Sequence, residues 1–93
     1  MNERSLGDIL KEIYARKEVK EQLFQAKLRD KWAEITGPMI AQYTTEITIK
    51  QKVLHLTVSS SPLRKELAMG KVQLLNIANE CLGEEFLVEV HLH

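Results

Sequence analysis

The chain has 93 residues, 44% of them apolar and 28% charged, a size and balance that suit one globular domain and exclude intrinsic disorder. Thirteen basic side chains cancel thirteen acidic ones, so no overall field draws the chain to nucleic acid or to an anionic membrane, and such a partner has to be held by a local patch. The lone cysteine, Cys81, excludes an internal disulfide and a multi-cysteine zinc site, and the short apolar runs exclude a membrane span.

Met1 to Ser5 carries no apolar h-region behind it, so the expectation is a cytoplasmic protein without a secretory signal, a single domain over residues 1–93 with a short flexible lead at 1–5. Ser5-Leu6-Gly7-Asp8 has the hydroxyl and carboxylate spacing of a helix start, and Leu6, Ile9, Leu10 and Ile13 then fall on one stripe, predicting a helix over 6–15. From Glu18 to Ile35 the apolar positions Val19, Leu23, Phe24, Leu28, Trp32 and Ile35 recur at helical spacing, and Thr36-Gly37-Pro38 closes that second helix.

The hydrophobic period then drops from about 3.6 to 2. Thr45, Ile47 and Ile49 alternate with Thr44, Glu46 and Thr48, and Leu54, Leu56 and Val58 alternate with Val53, His55 and Thr57, predicting two strands joined by Lys50-Gln51-Lys52. Ser59-Ser60-Ser61-Pro62 opens another helix, with Leu63, Leu67, Leu74, Ile77, Ala78 and Cys81 as its stripe, Gly70 as a bend and Gly83 as its stop. Phe86, Val88, Val90 and Leu92 alternate with Leu87, Glu89, His91 and His93 in a last strand. The expected class is α+β, in the order α-α-β-β-α-β, with a three-stranded mixed or antiparallel sheet carrying the helices on one face.

No residue set in this order can run a reaction, so no enzyme activity, catalytic residue, cofactor or metal is expected. His55, His91 and His93 are the only histidines, and the last two point to one face of a strand as a two-point metal clip; polar positions on a solvated sheet face explain them more simply. Cys81 sits in an apolar stripe as an inert thiol, Ser59, Ser60 and Ser61 serve as helix caps, and Glu84-Glu85 forms a solvated pair rather than an acid and base across a pocket. Trp32 belongs to the core, while Tyr14 and Tyr43 lie near element ends.

The cations carry more. Lys11, Arg16, Lys17, Lys20, Lys27, Arg29 and Lys31 crowd the first third, Lys50 and Lys52 the hairpin tip, and Arg64 and Lys65 the start of the last helix. Glu18, Glu21, Asp30, Glu34 and Glu66 are interleaved with them, so solvated helix faces account for much of the pattern.

Trp32-Ala33-Glu34-Ile35-Thr36-Gly37-Pro38, Ile40 to Thr44, Val53 to Ser61 and Glu66-Leu67 resemble the DciA family of bacterial replication proteins over about Leu6 to Leu92. The resemblance implies a KH-like module that assists the replicative helicase and binds DNA without hydrolysing a nucleotide. Gly7, Gly37, Gly70 and Gly83 are isolated, so the Gly-x-x-Gly clamp of KH domains is absent and KH-like describes shape alone. The expectation is an adaptor that contacts the helicase and touches single-stranded DNA through Lys50, Lys52, Arg64 and Lys65, with no membrane partner. A stand-alone nucleic-acid-binding domain and a self-associating homo-oligomer that pairs by its open sheet face or edge are the alternatives.

Overall fold

A computed structural model describes residues 5–93. Its elements are α1 (Leu6–Ala15), α2 (Lys17–Thr36), α3 (Pro38–Tyr43), β1 (Thr44–Lys50), β2 (Val53–Val58), α4 (Ser61–Met69), α5 (Lys71–Leu82) and β3 (Glu89–Leu92). The sheet order is β1-β2-β3, with β1 antiparallel and β3 parallel to β2, which makes it the mixed version of the sheet expected. Of the lead at residues 1–5, residues 1–4 lie outside the described residues, and Ser5 caps α1 by accepting the Asp8 N–H at 3.1 Å.

The core lies between the sheet and the helices. Ile47, Ile49, Leu54, Leu56, Val58 and Val90 point inward from the strands and meet Leu28 and Trp32 of α2, Leu67 of α4, and Leu74, Ala78 and Leu82 of α5. Several expected core positions fall outside this cluster, Val19, Ile77 and Val88 among them. Leu23 of α2 stays exposed, and no residue of α1 is buried, because α1 does not reach the sheet and meets little besides the neighbouring α2, which leaves Leu6, Ile9, Leu10 and Ile13 exposed.

Two glycine positions explain where the element order departs from the expected one. Gly37 adopts φ 95°, so it ends α2, yet Pro38 begins a further short helix, since a proline at the first helical position needs no amide partner. At Gly70 the expected bend is a full break between α4 and α5. A third departure lies at the chain's last strand, which is shorter than the alternation implied. Phe86 and Leu87 are both buried, so they cannot alternate between two faces. The side-chain amide of Asn79, itself buried, accepts the Leu87 N–H at 2.8 Å and donates to the Leu87 carbonyl at 2.9 Å, holding this stretch as an ordered non-strand segment.

Strand β1 contains a bulge between Thr44 and Glu46. The extra residue turns Thr44 rather than Thr45 inward, where its hydroxyl accepts the Trp32 indole N–H at 3.0 Å and donates to the Ile40 carbonyl at 2.7 Å. The outer edge of β1 is also occupied: Gln25 accepts the Ile49 N–H at 2.8 Å, and Arg29 donates to the Ile47 carbonyl at 3.0 Å. Side chains of α2 therefore cover one sheet edge, and β3 forms the other.

Candidate nucleic-acid interface

The period-2 alternation that sends aliphatic residues inward puts Glu46, Thr48, Lys50, His55, Thr57, Glu89, His91 and His93 on the opposite face of the sheet. Among the described residues no helix covers this face. Register places Thr48 beside His55 and His55 beside His91, so polar side chains run in a row across all three strands. A shallow depression of about 260 Å³, lined by Glu46, Thr48, Lys50, His55, Thr57 and His93, lies along this row.

The parallel pairing of β2 with β3 brings together the three histidines that the sequence shows only as a pair and a distant single. Rings of His55 and His91 are 5.2 Å apart and those of His55 and His93 5.3 Å, with His55 Nδ1 and His93 Nε2 in hydrogen-bond contact at 3.0 Å. The pKa of His55 is lowered from its ordinary value by partial burial first, then by the neighbouring His91, His93 and Lys50. His91 also reaches Glu89 Oε1 at 3.1 Å. Among the described residues no group of three or more His, Cys, Asp or Glu side chains is arranged to hold a metal ion.

Strand β1 ends in a two-residue turn at Gln51 and Lys52, with φ 50° and 64°. Both residues occupy the left-handed region that two-residue hairpins require and that Asn-Gly fills with least strain, so a Lys side chain is displayed here at a backbone cost of about 1 kcal/mol or more. The backbone N–H of Lys52 donates to Glu21 at 3.3 Å, and its ammonium lies 5.8 Å from the centre of the Phe86 ring. Lys20 of α2 sits 5.5 Å from the same ring and pairs with Glu84 at 2.9 Å. Lys17 lines the same surface hollow as Lys20, Lys52, Glu84 and Glu85. The fold thus adds Lys17 and Lys20 to the hairpin-tip cations, a grouping invisible in sequence because about thirty residues separate them from Lys52.

Arg64 and Lys65 lie elsewhere. Arg64 donates to the Val58 carbonyl at 2.7 Å, which ties α4 to the far end of β2, while Lys65 is exposed. Val53 and Val58 bound β2, five residues apart, so the two pairs of cations stand about 17 Å from one another along the strand. They form two separate clusters toward opposite ends of β2 rather than one patch. Other cations serve the fold: Arg29 on the β1 edge and Lys31 beside Glu34 at 3.7 Å.

The remaining reactive side chains occupy structural positions. Ser60 accepts the Leu63 N–H at 3.3 Å as the cap of α4, and Ser59 donates to the Tyr43 carbonyl at 3.3 Å. Cys81 is half-buried against the core, and Trp32 lies within it. Among the described residues no helix is long and apolar enough to cross a membrane.

Comparison with known proteins adds what geometry alone does not. The family model described as "Dna[CI] antecedent, DciA" matches residues 5–92. A protein of Corynebacterium glutamicum (strain R), named "UPF0232 protein", is 28% identical over 88 residues, covering 95% of this chain and 49% of its own length. The chain thus spans about half the length of that relative. No solved structure matches.

Proposed function

This chain belongs to the DciA family, and on that premise we propose that it is a non-enzymatic, cytoplasmic adaptor of bacterial DNA replication that engages the replicative helicase and touches single-stranded DNA. The observation that carries the DNA contact is the β1–β2 turn. Two non-glycine residues are held there at positive φ, and Lys52 is one of them. Lys50 precedes it, and Lys17 and Lys20 of α2 stand beside it. Backbone strain kept at a charged tip favours a role for the side chains that a cheaper Asn-Gly turn would not supply.

From this tip the nucleic-acid strand would run along the open sheet face, over Thr48, His55 and Thr57, toward Lys65 and Arg64 at the other end of β2. Cations at both ends neutralise phosphates, and the hydroxyls and imidazoles between them offer hydrogen bonds to bases or sugars. Arg64 already spends one donor on the Val58 carbonyl, so Lys65 carries more of the contact at that end. In this reading the domain is KH-like in shape, as the family implies, and it holds nucleic acid without a Gly-x-x-Gly clamp.

Binding of a fluorescent oligo-dT at a series of salt concentrations tests the DNA contact. The affinity should fall linearly on a log–log plot, and replacing Lys50 and Lys52 by Ala should reduce the slope by about 0.7 for each phosphate no longer neutralised. An unchanged slope in that double variant would remove the hairpin tip from the site.

A further inference from the structure

The reading above uses the imidazoles of the open face only as hydrogen-bonding groups, and their mutual geometry is more specific than that role requires. His55 projects from the middle of β2, and His93 follows β3 on the same face, its backbone tied to β2 by hydrogen bonds to Leu56 and Val58. The facing nitrogens, His55 Nδ1 and His93 Nε2, are 3.0 Å apart, with ring centres 5.3 Å apart and ring planes inclined at 18°, so the two rings lie end to end in nearly one plane. Two imidazole nitrogens bound to one tetrahedral zinc ion at about 2.0–2.1 Å stand about 3.3 Å from each other. Seating an ion between them therefore needs a few tenths of an ångström of opening and a swing of each ring by about 35°, so that both lone pairs converge on one point instead of on each other, a movement open to two side chains at the surface.

The geometry points to a two-imidazole clip, His55 Nδ1 and His93 Nε2, that binds one borderline transition-metal ion of the Zn²⁺ class across β2 and the end of β3. Imidazole nitrogen selects such ions over Mg²⁺ and Ca²⁺, which prefer oxygen ligands. Each ring binds through a nitrogen that carries no proton, and each can keep its proton on the other nitrogen, so closing the clip gives up only the hydrogen bond between them. His91 is the neighbour rather than a ligand, since its Nε2 is directed to Glu89 at 3.1 Å. Lys50 lines the same depression and repels the cation, whereas Glu46, across Thr57, offsets part of that charge. With two protein ligands and water completing the shell, the site is an open, exchangeable one.

The consequence is mechanical as well as chemical. A metal bridging His55 and His93 cross-links the final residues of the described chain to the central strand, so binding stabilises the fold by linkage. The clip also lies on the polar face between the two cation clusters, yet it needs neither DNA nor helicase and stands or falls independently of the proposed function.

Isothermal titration of the intact chain with Zn²⁺ at pH 7.5, paired with thermal unfolding in Zn²⁺ or Mg²⁺, tests the inference. The expected result is one saturable ion per chain with a dissociation constant on the order of micromolar, a Zn²⁺-dependent rise in the unfolding midpoint, and no rise with Mg²⁺. His55→Ala and His93→Ala should each weaken binding about tenfold or more, and His91→Ala less than threefold, by the loss of one ligand set against the loss of a bystander. All three side chains reach the surface, so the variants fold, and circular dichroism verifies it. No saturable heat with the parent chain, equal affinity in His55→Ala, or a loss in His91→Ala as large as in the other two would each overturn the assignment.

Discussion

Replacing Asn79 by Ala isolates the interaction that fixes the segment before β3. The amide of Asn79 makes two hydrogen bonds to Leu87, at 2.8 and 2.9 Å, and both residues are buried. Truncation orphans one backbone N–H and one carbonyl, each costing about 1–3 kcal/mol when left without a partner. Asn79 also borders a surface hollow with Asn76, Glu80 and Gly83, through which water can reach the vacated space, so the total should fall near the lower end, about 2–3 kcal/mol. With a urea dependence of about 1 kcal/mol per molar for a chain of this size, the midpoint drops by about 2–3 M. Asn79→Asp sharpens the test. A carboxylate still accepts the Leu87 N–H but faces the Leu87 carbonyl with no proton to donate, so at pH 7 it should destabilise at least as much as Ala. A loss below about 0.5 kcal/mol in both variants would refute the clamp.

Other substitutions separate structural from functional roles. Lys52→Gly relieves positive φ while removing a cation, so urea unfolding should show equal or greater stability, by up to about 1 kcal/mol, as DNA affinity falls; a parallel loss of both would contradict the reading of the turn. Arg64→Ala should cost about 1–2 kcal/mol by freeing the Val58 carbonyl, whereas exposed Lys65→Ala should leave stability unchanged and lower only DNA affinity. His55 has a folded-state pKa below its unfolded value, so the unfolded chain binds its proton more readily, and stability is lost as pH falls below about 6.5. His55→Gln should flatten that part of the pH–stability curve, measured between pH 7.5 and 5; an unchanged curve would assign the loss to other groups.

Most of the framework was legible because single elements carry their own periodicity. The bounds of α1 match its stripe and Ser5 cap, and the two strands of the hairpin match the change of period after Pro38. What escaped depends on tertiary partners. The six-residue α3 is too short to show a period, and the bulge at Thr44 follows from a hydrogen bond to Trp32, a residue in another element. Alternation over Phe86 to Val88 imitated a strand, but the Asn79 clamp and the edge contact of Phe86 with Phe24, ring centres 4.9 Å apart, decide that segment instead. The apolar stripe of α1 gave no hint that it would stay exposed, since a stripe reports what could be buried and not what is there to bury it.

The candidate site was legible as residues and not as a grouping. Lys50 and Lys52 could be placed on one tip from the strand pattern, but only the packing of α2 on the sheet brings Lys17 and Lys20 beside them and sets Arg64 and Lys65 at the far end of β2. In the same way, nothing in the spacing of His55 from His91 and His93 shows that β3 returns parallel to β2 and brings the rings together.

Sedimentation velocity of this chain with the replicative helicase of its host, at micromolar concentrations and without DNA, tests the adaptor reading most directly. The expected result is a faster-sedimenting complex that persists when Lys50, Lys52 and Lys65 are all Ala, because protein contacts and not the DNA cations hold it together. Independent sedimentation of the two proteins across that range would contradict it.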